Sequence, residues 1–169
     1  MQRCAADAPL LAATSRLLLH TITPILETLL AHYDSCQYVL VSFHNDNSAH
    51  IPCVVSRAGG DFAEVMPHHR GISFCMTTLQ RPIPVIISPI LHSARFSKHP
   101  LVVGPPYLTS FVGVPLIHAG AYLGALCIFW TGDGGCVNDI RAYAEAEAAA
   151  TKVSDLLVAH LKENGAARA

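Results

Sequence analysis

Residues 70–130 decide the fold and read RGISFCMTTLQRPIPVIISPILHSARFSKHPLVVGPPYLTSFVGVPLIHAGAYLGALCIFW. Three segments of this stretch, at 83–87, 108–117 and 122–130, are apolar and have the length of strands. The turn His118-Ala119-Gly120-Ala121 has the length and the glycine of a β-hairpin. We therefore predict an antiparallel sheet. Because the segments at 83–87 and 122–130 are apolar nearly throughout, this sheet must bury both of its faces.

The rest of the chain supplies two long helices and a second hairpin. Apolar residues recur at three- and four-residue spacing over 9–33, which predicts an amphipathic helix that Pro24 kinks or divides. Alternating side chains predict strands at 36–43 and 51–56, joined by a turn rich in Asn and Asp. The alanine-rich residues from 140 to about 162 predict the last helix.

These elements predict one domain over residues 1–169, with 1–8 and 163–169 frayed. The fold class is α+β, a sandwich-like arrangement with a central antiparallel sheet of five to six strands. The two terminal helices cover one face of the sheet. A short helix within 73–80 and the loop 89–106 are the material left for the other face, where we expect them to form a lid.

Four short motifs lie along residues 70–130. They are Ser73-Phe74-Cys75, Arg95-Phe96 with Pro100-Leu101-Val102, Gly113 with Pro115-Leu116, and Leu123-Gly124 with Leu126-Cys127. These motifs resemble those of sensor-type GAF domains. The resemblance implies a GAF-like fold with a ligand pocket under the lid, in a non-catalytic domain that senses a small molecule in signal transduction. It also implies a homodimer paired through the terminal helices. The implied ligand-binding residues are Phe74, Cys75, Arg95, Phe96, Tyr107 and Phe111.

The chain departs from that sensor pattern in its polar residues. Pro89 and Ser93 stand where such domains usually carry aspartates, and Thr109 and Ser110 stand where an arginine and an aromatic residue are common. No Asp or Glu occurs between residues 64 and 133. This stretch therefore lacks the usual general acids and bases and the usual ligands of hard metal ions.

Two residues of the stretch have both a chemical and a structural interpretation. Cys75, beside the predicted short helix, is either a reactive thiol with a lowered pKa or a small buried apolar side chain. Arg95 either binds an anionic ligand through its guanidinium group or holds its own loop by bonding backbone carbonyls.

Composition excludes several classes of function. The net charge is −1 and the basic residues are scattered, which argues against a nucleic-acid partner. The uncharged run 99–132 is broken by Pro105, Pro106 and Pro115 into strand-length pieces, so we predict no membrane span. The ten histidines lack metal-ligand spacing, so we predict that His92 and His99 are solvated loop residues, and no motif indicates a cofactor. Six dispersed cysteines without a signal-peptide pattern favour the reducing cytoplasm.

Three classes of function fit the sequence. The first is the non-catalytic sensing domain, with an unidentified small-molecule ligand. The second is a thiol enzyme resembling the GAF-fold reductases of free methionine sulfoxide, although no thiol stands where those enzymes carry the cysteine ahead of their V-P-L strand. The third is a structural dimerisation module whose pocket is vestigial.

Overall fold

The computed structural model describes residues 16–33, 35–44, 49–57, 73–80, 83–132 and 140–166. The predicted order of elements is confirmed within these ranges, while residues 9–15 of the predicted first helix and the Asn- and Asp-rich turn lie outside them. The elements are α1 (Arg16–His32), β1 (Cys36–His44), β2 (Ala49–Ser56), α2 (Thr77–Gln80), β3 (Val85–Ile87), a 3₁₀ turn (Ile90–His92), α3 (Pro100–Val103), β4 (Leu108–His118), β5 (Ala121–Thr131) and α4 (Ile140–Ala166). The last helix therefore continues beyond residue 162.

The strands form one antiparallel sheet in the order β2-β1-β5-β4-β3. This arrangement confirms the α+β fold class and the predicted hairpin between β4 and β5. Ala119 and Gly120 have φ angles of 49° and 79°, and His118 pairs with Ala121 across the turn. Two consecutive residues with positive φ are typical of the type I′ turn, whose twist matches that of the strands it joins.

The two faces of the sheet carry separate apolar cores. Side chains of β1, β4 and β5 alternate, so that Leu126 and Ile128 of β5 pack towards α1 and α4 while Cys127 and Phe129 pack on the opposite face. We call the first the helix face and the second the lid face. The helix-face core includes Ile22, Leu26, Val39, Val41, Val112, Val114, Leu126, Ile128, Trp130, Ala146, Val153 and Leu157.

Strand β3 is shorter and more exposed than the sequence predicts. It spans three residues, and the side chains of Ile83 and Ile86 are 54% and 50% exposed. The reason is its place at the edge of the sheet, where it pairs with β4 alone. The expectation that this segment is buried on both faces is therefore wrong, and burial on both faces belongs to β5.

Pro24 lies inside α1 without dividing it. Proline lacks the N–H that would bond the carbonyl of His20, and both residues are exposed on the helix surface. Water can satisfy that carbonyl, so the lost bond costs less than it would on the buried side.

The end of α1 is fastened to the sheet by Arg57, which directly follows β2. Its Nε donates a hydrogen bond of 2.8 Å to the carbonyl of Cys36, and its Nη2 donates to the carbonyls of Leu30 and Tyr33. The last carbonyls of a helix have no partner within the helix, and a guanidinium group placed there satisfies them and offsets the negative end of the helix dipole.

Gly113 of β4 and Gly124 of β5 lie where other parts of the protein come close to their Cα atoms. A Cβ atom on Gly124 would meet the backbone carbonyl of Ser42 in β1, whereas a Cβ on Gly113 would meet side-chain atoms of Phe111 and Thr78 at 2.6 and 2.7 Å. The backbone of a central strand cannot give way as a side chain can. Gly124 is therefore the less replaceable of the two.

We predict that Gly124→Ala destabilises the protein by about 1–3 kcal/mol, the usual cost of overpacking a core. Gly113→Ala should cost less, because rings and methyl groups can rotate away. The free energy of unfolding from urea denaturation checks both variants. A larger loss for Gly113→Ala than for Gly124→Ala would contradict the close approach of β5 to β1.

Candidate functional site

An aromatic cluster fills the lid face, with Phe74 at its centre. The ring of Phe74 stacks on that of Phe96 with 4.3 Å between centroids and lies 4.6 Å from His99. Phe111 and Phe129 lie beneath it at 5.4 and 5.7 Å. Aromatic pairs at these distances contribute attraction beyond the burial of their apolar area.

Three parts of the chain bring these rings together. Phe111 of β4 and Phe129 of β5 are direct register partners, so both point to the lid face. Phe74 precedes α2. Phe96 and His99 come from residues 88–107, which carry the 3₁₀ turn and α3 and which we call the lid segment. The cluster therefore joins the lid segment to the sheet.

His99 links the local structure of the lid segment to this cluster. It is the N-cap of α3, and its Nδ1 accepts a hydrogen bond of 3.1 Å from the backbone N–H of Leu101. An imidazole that accepts at Nδ1 is neutral and carries its proton on Nε2. The sequence predicts a solvated loop histidine here, which is wrong for His99 because its ring is buried against Phe74. His92 is exposed as expected.

Four of the six predicted ligand-binding residues converge on the lid face, and two lie outside it. Phe74, Cys75, Phe96 and Phe111 are all buried in one core. Arg95 is exposed, with its Cζ 5.1 Å from the centroid of the Phe96 ring. Tyr107 is 57% exposed, at the end of the lid segment.

Two thiols lie side by side under the lid segment. Cys75 and Cys127 are fully buried and hydrogen-bond to one another, and the hydroxyl of Ser42 bonds to both sulfurs. The pKa of Cys75 is lowered because its sulfur accepts hydrogen bonds from Cys127 and from the hydroxyls of Ser42 and Ser73. Burial raises the pKa of Cys127. Cys75 is therefore buried, as its structural interpretation predicts. Its sulfur nevertheless accepts several hydrogen bonds, which a purely apolar side chain would not.

Sequence reasoning missed Ser42, Cys127 and His99 as members of this site. Ser42 and Cys127 could have been found by strand alternation, since Ser42 follows Leu40 by two residues in β1 and Leu40 pairs with Cys127. Only the fold brings Cys75 to them.

Two of the four residues at which the chain departs from the motif pattern, Thr109 and Ser110, have structural partners. Ser110 is buried, and its hydroxyl lies 2.8 Å from that of Ser88. Thr109 donates to the carbonyl of Gly132 at 2.8 Å. These hydroxyl groups hold the start of β4 to its surroundings.

Two grooves border the helix face, on the side of the sheet away from the aromatic cluster. One, of about 540 Å³, runs between α4 and β4 and is lined in part by Pro115, Ile117 and Thr151. The other, of about 440 Å³, lies between α1 and α4 and is lined by Pro24, Ile25, Thr28, Leu29, His32, Glu145, Ala148, Ala149 and Lys152. The side chains of His32 and Glu145 meet across it, with 2.8 Å between Nε2 and Oε2.

The described residues show neither a metal-binding cluster nor a membrane-spanning helix. Within those ranges, no three His, Cys, Asp or Glu side chains are grouped so that they could hold a metal ion. None of the described helices is both long enough and apolar enough to cross a membrane.

Comparison with known proteins gives one family. The model of the GAF domain matches residues 15–159. No curated protein sequence matches the chain significantly.

Three solved structures illustrate the similarity of fold. The GAF domain of a phosphoenolpyruvate-protein phosphotransferase from Coxiella burnetii superposes with a TM-score of 0.70 at 14% identity, over 94% of this chain and 95% of that one. A GAF domain/HD domain protein from Geobacter sulfurreducens gives 0.68 at 16% identity, over 90% and 97%. A type II free methionine-R-sulfoxide reductase from Thermoplasma acidophilum gives 0.67 at 12% identity, over 83% and 92%.

We predict that Phe96→Ala lowers the free energy of unfolding by about 3–5 kcal/mol, because it removes a fully buried ring from the cluster. Arg95→Ala should cost about 1 kcal/mol or less, as for an exposed cation beside a ring. Leu91→Ala, at an exposed position of the same segment, is the control and should be near neutral. Equal losses for Phe96→Ala and Leu91→Ala in urea denaturation would show that ring stacking does not hold the lid segment.

Proposed function

Because this chain belongs to the GAF domain family, we propose that it is a non-catalytic sensing domain of signal transduction that binds a small molecule on its lid face. The observation that carries this proposal is the position of Phe96, a lid-segment side chain stacked on Phe74 at 4.3 Å. A ligand with a flat aromatic ring can take the place of either ring in that stack. Because the ligand displaces a ring of this stack, its binding is then coupled to movement of the lid segment.

The charges around the lid segment favour an anionic ligand. Residues 65–132 contain no Asp or Glu, and Arg95 and Lys98 lie exposed on the lid segment. Arg95 already lies beside the ring of Phe96, so its guanidinium can meet an acidic group on a ligand that stacks there. The proposed contacts are Phe74, Cys75, Arg95, Phe96, Tyr107 and Phe111.

The sheet offers a path from the ligand to the terminal helices. Phe111 and Phe129 face the lid segment, while their neighbours Val112 and Ile128 pack against the helices on the other face. A shift of β4 and β5 under a ligand would therefore alter the packing of α1 and α4.

We propose that the signalling form is a homodimer joined through these helices. The groove between α1 and α4 is lined by Ile25, Leu29 and Ala148, of which Ile25 is half-buried and Ala148 is exposed, and a helix from a second copy fits such a groove. Of the leucines in the second half of α4, Leu157 is buried in the core of its own protomer, whereas Leu156 and Leu161 are partly buried. Leu156 and Leu161 are thus the better interface candidates.

A reducing cytoplasm is the compartment that we propose for the domain. The four cysteines of the described residues, Cys36, Cys53, Cys75 and Cys127, are all free thiols. Free buried thiols are the usual state of cysteine in that compartment.

We predict that 8-anilinonaphthalene-1-sulfonate, an anionic aromatic probe, binds the folded protein on the lid face. Arg95→Ala should weaken the binding several-fold, because the sulfonate loses its cationic partner. Lys152→Ala, which removes a cation from the helix groove, is the matched control and should leave the dissociation constant unchanged. Fluorescence titration gives both constants, and melting curves confirm that each variant is folded.

The opposite pattern, with Lys152→Ala weakening the probe and Arg95→Ala leaving it unchanged, would place the binding in the helix groove and contradict the proposal. Native mass spectrometry of freshly purified protein extends the test to a retained natural ligand. Turnover of free methionine sulfoxide with dithiothreitol would contradict the non-catalytic assignment.

We predict that sedimentation equilibrium at micromolar concentration gives a molar mass twice the 18.1 kDa of one copy. Ala148→Glu should give monomers, because it places a charge in the proposed interface without touching the protomer core. Ala94→Glu makes the same change at an exposed position of the lid segment and should leave the dimer intact. A single 18.1 kDa species for the unmodified chain would rule out a stable dimer.

A further inference from the structure

The two thiols under the lid segment bond to one another, a contact that packing alone does not require. Cys75 and Cys127 are 52 residues apart in sequence, yet their side chains hydrogen-bond to one another in the lid-face core. The other two described cysteines, Cys36 and Cys53, belong to the helix-face core. Only Cys75 and Cys127, among the described thiols, have a second thiol as their hydrogen-bond partner.

The pair lies in a small polar region inside an otherwise apolar and aromatic core. Ser42 and Ser73 are buried beside it, and their hydroxyls bond to the sulfur of Cys75. Burying hydroxyl groups costs free energy that apolar side chains of similar size would not cost. Donors aimed at one sulfur favour its thiolate form, which is the reactive form of cysteine.

A matched comparison within the chain supports this interpretation. Burial raises the pKa of Cys36 to about 12, and the hydrogen-bond partners of its thiol are the backbone carbonyls of Tyr38 and Phe129 rather than hydroxyl or thiol groups. Cys75 is buried as completely, yet its pKa moves in the opposite direction because of its hydrogen-bond donors, the first of which is Cys127. Burial is therefore common to both sites, and the arrangement of donors distinguishes them.

We infer that Cys75 and Cys127 form a redox-active dithiol that hydrogen peroxide converts into an intramolecular disulfide. The Cys75 thiolate attacks one peroxide oxygen, the O–O bond breaks, and the products are a sulfenic acid on Cys75 and, after protonation, water. The sulfur of Cys127 then attacks the sulfur of Cys75, the S–O bond breaks, and the hydroxyl leaves as a second water with the proton of the Cys127 thiol. In sum, two thiols and one peroxide give one disulfide and two waters.

The disulfide would tie the start of α2 to the central strand β5. Thr78 of α2 already bonds the carbonyl of Cys75 at 2.8 Å and lies 2.6 Å from the phenol oxygen of Tyr122 in β5. A covalent bond one turn earlier would fix this contact and with it Phe74, the centre of the aromatic cluster. This inference goes beyond the proposed sensing function, and it holds whether or not the lid face binds a small molecule.

The test uses the full chain with Cys4→Ser and Cys136→Ser, which leaves the four cysteines that the structure describes as free. Hydrogen peroxide should lower the free-thiol content from four to two and the intact mass by about 2 Da, the two hydrogens lost on disulfide formation. Peptide mapping should place the bond between residues 75 and 127. Cys75→Ser and Cys127→Ser should each abolish it, whereas Cys53→Ser should retain it.

A second measurement separates reactivity from simple proximity. With Cys127→Ser, the sulfenic acid on Cys75 has no resolving thiol and should be captured by dimedone; with Cys75→Ser, Cys127 should give no dimedone adduct. Melting curves before oxidation show whether each variant is folded, and mapping of the four-cysteine protein decides the question if a variant is not. Oxidation of Cys36 or Cys53 before this pair, or a folded protein in which both thiols of the pair resist peroxide, would overturn the inference.

Discussion

The pairing of β4 with β5 is the constraint on which the rest of the structure depends. Ten register pairs join the two strands, from Leu108 with Thr131 to His118 with Ala121. Strand β5 is buried from Leu123 to Trp130, so neither of its faces can remain uncovered without a large loss of hydrophobic free energy. The terminal helices and the lid segment satisfy this requirement on opposite sides. Where β1 adds to β5, Gly124 permits the close approach that any Cβ would prevent.

The lid face shows how a sheet surface can be closed without charged groups. Rings from three parts of the chain meet around Phe74, and the neutral imidazole of His99 both caps α3 and packs on that ring. In the sensing function that we propose, a ligand opens this closure by taking the place of one of the stacked rings. The disulfide that we propose for the thiol pair in the same core would form without an acidic or basic side chain.

The two faces are connected through single strands. Neighbouring residues of β4 and β5 point alternately to the aromatic cluster and to the helices, so a change in packing on one face alters the strain on the other. Protein interiors are close-packed and transmit such displacements. This arrangement suits a module that converts occupancy of one face into a change at the helices of the other.

The sequence by itself determined the order of elements, the β4–β5 hairpin and the α+β class, because apolar periodicity and the Ala119-Gly120 turn are local signals. Through the family resemblance it also grouped Phe74, Cys75, Phe96 and Phe111 among the ligand-binding candidates, and these four share the lid-face core. What it could not determine depends on neighbours distant in the chain. The edge position of β3 exposed Ile86, and the continuity of α1 through Pro24 depended on which side of the helix faces water. Burial of His99 and the meeting of Cys75 with Cys127 and Ser42 were decided by tertiary structure alone, since these contacts join residues whose separation in sequence carries no periodic signal.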